Sequence, residues 1–241
     1  MKKLVKLFLA LTSLVIFAGC GGGGGGSDTP TTPPPPSYSL FSPPSLPIAS
    51  ESNPLKIDYN VYKIDFKGKT YIEFTTTQTG ELLFASSGYG YNEPKFELYE
   101  YGTDNVIPFS FVKSNIFKTD DPLPAGRYTM KIYNDKTPST GAYVSLLSNS
   151  FQGITIAELP LQNGFSGTVS PSFLSFWKFN VTTDKCVMIN GSYQDVYLYD
   201  SNLNDTGLDL DNDTECLKAG MYYIFFSNHT RYDQPFELVV D

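Results

Sequence analysis

The sequence predicts an all-β protein built as two tandem antiparallel β-sandwich domains of jelly-roll or immunoglobulin-like type. Three observations predict it. A turn-plus-strand unit occurs twice, as Leu123-Pro-Ala-Gly-Arg-Tyr-Thr-Met-Lys-Ile-Tyr-Asn134 and as Leu217-Lys-Ala-Gly-Met-Tyr-Tyr-Ile-Phe-Phe-Ser-Asn228. Aromatic residues are abundant, with 17 Tyr and 18 Phe in 241 residues, and 20 Gly and 17 Pro are spread among them. That composition suits short strands joined by turns. No long segment carries apolar residues at helical spacing.

In each copy of the unit an Ala-Gly pair stands where the chain reverses, and a positive φ is expected at the glycine. The residues that follow alternate. Tyr128, Met130 and Ile132 share one face in the first copy, and Tyr222, Ile224 and Phe226 in the second. A period of two marks a strand with one face against a core.

Residues 1–19 have the parts of an export signal: Lys2, Lys3 and Lys6, a mostly apolar run from Leu7 to Phe17, then small Ala18 and Gly19. Phe17-Ala-Gly-Cys20 resembles the lipobox of bacterial lipoproteins. The resemblance implies cleavage before Cys20, lipidation of its thiol, and a membrane partner through that anchor. Gly21 after the cysteine implies the outer membrane, with the folded part facing the periplasm or the cell surface. Residues 20–47 read as a disordered tether. Six glycines give flexible coil, and Pro33–Pro36 give stiffer, extended chain.

The first repeat is expected over 48–150. Val61–Phe66 alternates with Tyr62, Ile64 and Phe66 inward, and Gly68-Lys69 turns the chain into Thr70–Thr75. Further strands are expected at Glu81–Ala85, Phe96–Tyr101, Arg127–Asn134 and Ala142–Leu147, separated by Gly, Asn, Asp and Pro. Gly88-Tyr-Gly-Tyr-Asn92 is an aromatic loop that either covers the sandwich end or makes contacts. The second repeat is expected over 151–241. There Phe176–Val181 aligns with Val61–Phe66, setting Trp177 at Tyr62, and Asp195–Asp200 aligns with Lys95–Glu100. The same alignment sets Cys186 at Tyr71 and Cys216 at Pro122. In an exported chain this pair reads as a disulfide, since a metal or catalytic thiol lacks a nearby partner and the single histidine is His229.

The starts Tyr62-Lys-Ile-Asp-Phe66 and Trp177-Lys-Phe179, the strands Leu98-Tyr-Glu100 and Leu198-Tyr-Asp200, and the Ala-Gly-x-Tyr turns form a pattern. Together with Asn163-Gly164 and Ser166-Gly167-Thr168, it resembles the bacterial pre-peptidase C-terminal (PPC) domain, a β-sandwich often appended to secreted proteases. The first repeat departs from it by a longer middle. The resemblance covers both repeats and implies a non-catalytic domain for secretion, stability, or binding of proteins and polysaccharides.

The chemistry agrees with a non-enzyme. There is no Gly-x-Ser-x-Gly, zinc-binding His pair or phosphate-cradling glycine loop, and one histidine removes the usual general base. With the three leader lysines set aside, 14 basic residues face 25 acidic ones, a net charge of −11 that repels nucleic acid. Two ligand candidates remain. Asp209, Asp211, Asp213 and Glu215 alternate along one run, which suits Ca²⁺ or else a solvated acidic turn. Tyr197, Tyr199, Tyr223 and Phe225 lie opposite the core-facing positions of their strands. They form either an exposed platform for a sugar or protein, or a packing surface for the neighbouring repeat. The expectation is a non-catalytic lipoprotein whose repeats bind a polysaccharide or protein polymer. The alternative is a structural accessory of an envelope or secretion assembly.

Overall fold

The computed structural model describes residues 43–241 apart from 89–92, 137–140, 192–193 and 212. The leader, Cys20, the tether to residue 42 and residues 89–92 of the aromatic loop lie outside the described residues. The elements are β1 (Leu55–Lys56), β2 (Val61–Ile64), β3 (Gly68–Thr76), β4 (Leu83–Gly88), β5 (Lys95–Glu100), β6 (Phe109–Lys113), β7 (Ile116–Thr119), β8 (Gly126–Asn134) and β9 (Ala142–Leu147). The chain continues with β10 (Phe165–Val169), β11 (Leu174–Val181), β12 (Lys185–Gly191), β13 (Gln194–Tyr199), β14 (Asp205–Asp209), β15 (Glu215–Leu217), β16 (Gly220–Asn228) and β17 (Gln234–Val240). They form four sheets, ordered β1-β3-β8-β5 and β2-β9-β4-β7-β6, then β10-β17-β12-β15 and β11-β16-β13-β14. All strand pairs are antiparallel except β1 with β3.

Each pair of sheets closes on its own apolar interior. Ile72, Phe74, Phe84, Leu98, Met130, Ile132 and Val144 fill the first. Trp177, Val187, Ile189, Val196, Leu198, Ile224 and Leu238 lie in the second. The predicted period of two is what brings these residues to one side of their strands.

The repeated unit becomes β8 and β16, and sheet register fixes how the rest corresponds. Met130 lies opposite Ile72 and Leu98. Ile224, its counterpart, lies opposite Trp177 and Leu198. Thus β5 matches β13 as expected, but β11 matches β3, not β2. This corrects the alignment of Phe176–Val181 with Val61–Phe66 and of Trp177 with Tyr62: both early strands alternate aromatic residues, and only pairing tells them apart. By the same order β12 matches β4 and β15 matches β7, so Cys186 and Cys216 do not stand at Tyr71 and Pro122. Each repeat also opens alike. Ile57 donates its N–H to Glu73 O at 3.2 Å, and Leu159 donates to Lys178 O at 2.9 Å.

The Ala-Gly turn is built differently from expectation. Neither Gly126 nor Gly220 has a positive φ. Instead the tyrosine two residues on folds back over the glycine. Tyr128 donates its hydroxyl to Pro124 O at 2.6 Å, and Tyr222 donates to Lys218 O at 3.1 Å. A Cβ at either glycine would reach that tyrosine at 3.7 Å, an ordinary contact, so the motif is a corner held by a side chain and not by a left-handed residue. Left-handed geometry does occur at Gly68, with φ 118°, where β3 begins.

Residues 44–47, expected as the end of the tether, run along β2. Leu46 is buried; its N–H donates to Lys63 O at 2.8 Å, and Lys63 N–H donates to Pro44 O at 2.9 Å. The longer middle of the first repeat is the hairpin β6–β7, and β6 adds a fifth strand with no counterpart among the described residues of the second repeat. Its two-residue tip, Ser114-Asn115, has φ of 42° and 62°, the type I′ turn whose twist matches the strands it joins.

The disulfide expectation holds. Cys186 and Cys216 are direct register partners on β12 and β15 and are bonded. The bridge pins the short edge strand β15 at a sequence separation of 30. On the chain-entropy account a loop of that size adds about 3–4 kcal/mol. We predict that Cys186→Ser/Cys216→Ser lowers unfolding free energy by about that amount, measured by urea titration. Thiol titration of the denatured, unreduced folded part should find both cysteines blocked.

Candidate functional site

The sheets β1-β3-β8-β5 and β11-β16-β13-β14 are counterparts, and each turns one face away from its own core. In the second repeat that outer face is covered by the first. Leu83, Ala85, Ile116, Tyr143 and Leu147 join one buried cluster with Phe173, Leu174, Phe176, Tyr199, Tyr223 and Phe225. Tyr143 meets Phe173 edge-on at 5.2 Å. Ser145 Oγ accepts from Phe176 N–H at 3.1 Å, and Asn60 Nδ2 donates to Phe176 O at 2.8 Å.

Of the two readings of these rings, this placement gives the packing surface for the neighbouring repeat and not the exposed platform. Phe225 is 0% exposed, Tyr199 2% and Tyr223 6%. Tyr197, half-buried, stacks on Phe225 at 6.2 Å. The four residues were correctly placed opposite their own core, but that side is filled by the other repeat. The Tyr199 hydroxyl is buried without a hydrogen-bond partner among the described residues, and burial pushes its pKa well up. We predict that Tyr199→Phe stabilises the protein by about 1 kcal/mol by removing an unsatisfied polar group. A rise of roughly 2–4 °C in Tm would register it, whereas a fall would mean that the hydroxyl has a partner.

The β6–β7 tip completes the seam. Lys113 sits with Nζ 3.8 Å from the centre of the Tyr197 ring and pairs with Asp205. Ser114 Oγ and Tyr197 Oη lie 2.5 Å apart. Next to them His229 Nε2 is 2.6 Å from Asp195 Oδ2 and 3.3 Å from Ser227 Oγ. The Asp195 carboxylate raises the His229 pKa, with Glu93 adding to it against the opposing effect of burial. His229 in turn lowers Asp195, helped by Ser114 and Lys113.

The signs set a pH window. The stabilisation from His229 is fully present below the unfolded histidine value of about 6.5 and is lost as pH rises through the higher folded value. The share from Asp195 is lost as pH falls through its depressed folded value. The stability gap between wild type and His229→Gln is therefore expected to be widest near pH 5 and to close by about pH 9. Urea titrations across that range measure it, and a gap that widened with pH would contradict the pairing.

The acidic run does not gather its carboxylates. Asp209 ends β14 opposite Tyr197, while Glu215 begins β15 opposite Val187 in the facing sheet. Between them Leu210 is buried and accepts from Ile189 N–H at 2.7 Å, which pins the crossing. Asp209 Oδ1 accepts from Asp211 N–H at 2.9 Å. Burial raises the Asp211 pKa, and the carboxylates of Asp209, Asp195 and Asp213 add to it. Among the described residues no three His, Cys, Asp or Glu side chains come together as a metal would need; Asn212 lies outside them.

In the first repeat no sandwich among the described residues covers the counterpart face, although Tyr71, Glu73 and Thr129 on it are themselves buried. Opposite the core-facing Ile72, Leu98 and Met130, it presents Tyr71 and Glu73 from β3, Glu97 and Tyr99 from β5, and Arg127, Thr129 and Lys131 from β8. Arg127 Nη2 pairs with Glu73 at 2.8 Å and stacks 3.6 Å over the Tyr101 ring. Lys131 pairs with Glu97 at 2.8 Å and lowers its pKa, while Glu97 accepts the Tyr99 hydroxyl and pushes that group up to about 12. At one end, Tyr71, Tyr99 and Tyr101 line an open cleft of about 380 Å³ together with Glu51, Glu100 and Asp104. The alternation that singled out Tyr197 and Tyr199 runs equally through 97, 99 and 101. It marks this cleft once the covered face is told from the open one. No protein-family model matches the chain, and no curated protein matches it.

Proposed function

We propose that this chain is a non-catalytic lipoprotein of the bacterial envelope, anchored in the outer membrane through Cys20, whose first sandwich binds a polysaccharide or protein polymer. The observation that carries the reading is the tyrosine and carboxylate cleft left open on β1-β3-β8-β5, while the matching face of the second repeat is spent on internal packing. A rigid sheet holding amphipathic rings beside charged groups is suited to contact binding. The leader and lipobox residues support the anchor, and the Ala-Gly-x-Tyr corners support the likeness to the PPC domain. A non-catalytic role is supported by the single histidine turning one ring nitrogen, Nε2, to both Asp195 and Ser227, where a Ser-His-Asp relay uses a separate nitrogen for each.

A second reading, a structural accessory without its own ligand, is favoured by the edge strand β6. There Phe111 is 60% and Val112 43% exposed on the outermost strand of its sheet. An open apolar edge is a template for pairing with another chain.

The test is a pull-down of the chain from Ser27 onward against insoluble polysaccharides and matrix proteins, with Ca²⁺ and with chelator. Saturable binding unchanged by chelator is the expected result, because the acidic run divides its carboxylates between two sheets. Binding lost in chelator would restore calcium at Asp209–Glu215. Retention on no polymer would shift the reading to the accessory.

A further inference from the structure

We infer that the cleft of Tyr71, Tyr99 and Tyr101 recognises an amine-bearing sugar unit of a polysaccharide; this rests on the reading that the open face binds a polymer. Three observations carry it. Two of the cleft's rings already hold cations from the chain itself: Arg127 lies 3.6 Å over Tyr101, and Lys69 Nζ lies 5.7 Å from the centre of Tyr71. The faces of these rings are therefore placed where positive charge is attracted. The second observation is charge balance. Elsewhere on this face the carboxylates are compensated, Glu73 by Arg127 and Glu97 by Lys131. Around the cleft Glu51, Glu100 and Asp104 stand in no ion pair among the described residues. Three carboxylates thus line the cleft outside any ion pair, while Arg127 at its rim is already committed to Glu73 and Lys69 lies against the Tyr71 ring.

The third is shape. The cleft lies on the face of the sheet, with Tyr71 and Thr129 almost buried in its floor and Tyr101, 38% exposed, at its rim. A single lysine side chain is held best in a narrow cage around one ammonium group. An aromatic cleft with a polar rim instead fits a disc-shaped ring, which lays its C–H face on the more exposed Tyr99 and Tyr101 and points its substituents at the carboxylates. A sugar with a free amino group has both parts.

The experiment is calorimetric titration of the full chain with four probes. These are a glucosamine oligomer with free amines, the same oligomer N-acetylated, a β-1,4-glucose oligomer of equal length, and a lysine oligomer of equal charge. The free-amine sugar should bind saturably and at least tenfold more tightly than the other three, with an affinity that falls as salt is added. Glu100→Gln and Tyr101→Ala, both at exposed positions, should each weaken it at least tenfold while the chain keeps its cooperative unfolding transition. Tyr133→Ala, an exposed tyrosine outside the cleft, should leave it alone. Equal affinity for the acetylated or glucose oligomer would overturn the amine, and an equal or tighter lysine oligomer would overturn the sugar. Free-amine binding that survives both cleft substitutions would overturn the site and leave the polymer reading standing. Failure of all four probes would overturn this inference, while the pull-down judges the broader reading separately.

Discussion

The face of the β11-β16-β13-β14 sheet pressed against the first repeat is the constraint on which the rest of the molecule depends. It makes β16 a strand buried on both sides. Tyr223 and Phe225 face the neighbouring sandwich, while Ile224 and Phe226 face their own interior. Aromatic rings suit that position because each removes a large apolar area from water. The contact also joins non-equivalent faces: the second repeat offers its β11-β16-β13-β14 side, and the first offers its β2-β9-β4-β7-β6 side. Such an arrangement does not close on itself. One face of each kind is left over, and on the first repeat the leftover is the tyrosine face with its salt bridges.

That leftover face shows why two similar repeats end with different surfaces. Where the covered sheet carries Phe176, Tyr223 and Phe225, the equivalent positions on the other sheet are Tyr71, Thr129 and Lys131. Apolar rings are replaced by hydroxyls and charge at matching positions. The hairpin β6–β7 adds to the asymmetry. Its left-handed Ser114 and Asn115 cost some backbone strain, and the tip they form delivers Lys113 and Ser114 to Tyr197 and Asp205.

Most of the fold was legible because alternation and turn residues are local signals. Ala142–Leu147 is found with its expected bounds, and β3, β8 and β11 lie within two residues of theirs. What escaped was decided by distant pairing. β1, β6, β7 and β15 are too short, or too weakly alternating, to announce themselves, and the match of β11 to β3 rests on what lies opposite Ile224. The candidate site was legible by half. Period two separates inward from outward on a strand, and so it found Tyr197, Tyr199, Tyr223 and Phe225. It holds no information about whether a second sandwich lies on the outward side. The same rule applied to Tyr71, Glu73 and Tyr99 names the open face, but only the assembled structure says which of the two remains open. The cysteines were legible as a pair, since compartment and number sufficed, although their places in the repeat were not.

The bridge between Cys186 and Cys216 has a consequence for a chain exposed to proteases. The ring it closes contains β13 and β14, which carry Tyr197, Tyr199 and Asp205 of the seam. A cut anywhere between 187 and 215 opens that ring without releasing either piece, because the cut ends stay joined through the sulfurs. Everything from β16 onward would remain covalently tied to the first repeat. The nicked chain would run at its full size on a gel until a reductant was added.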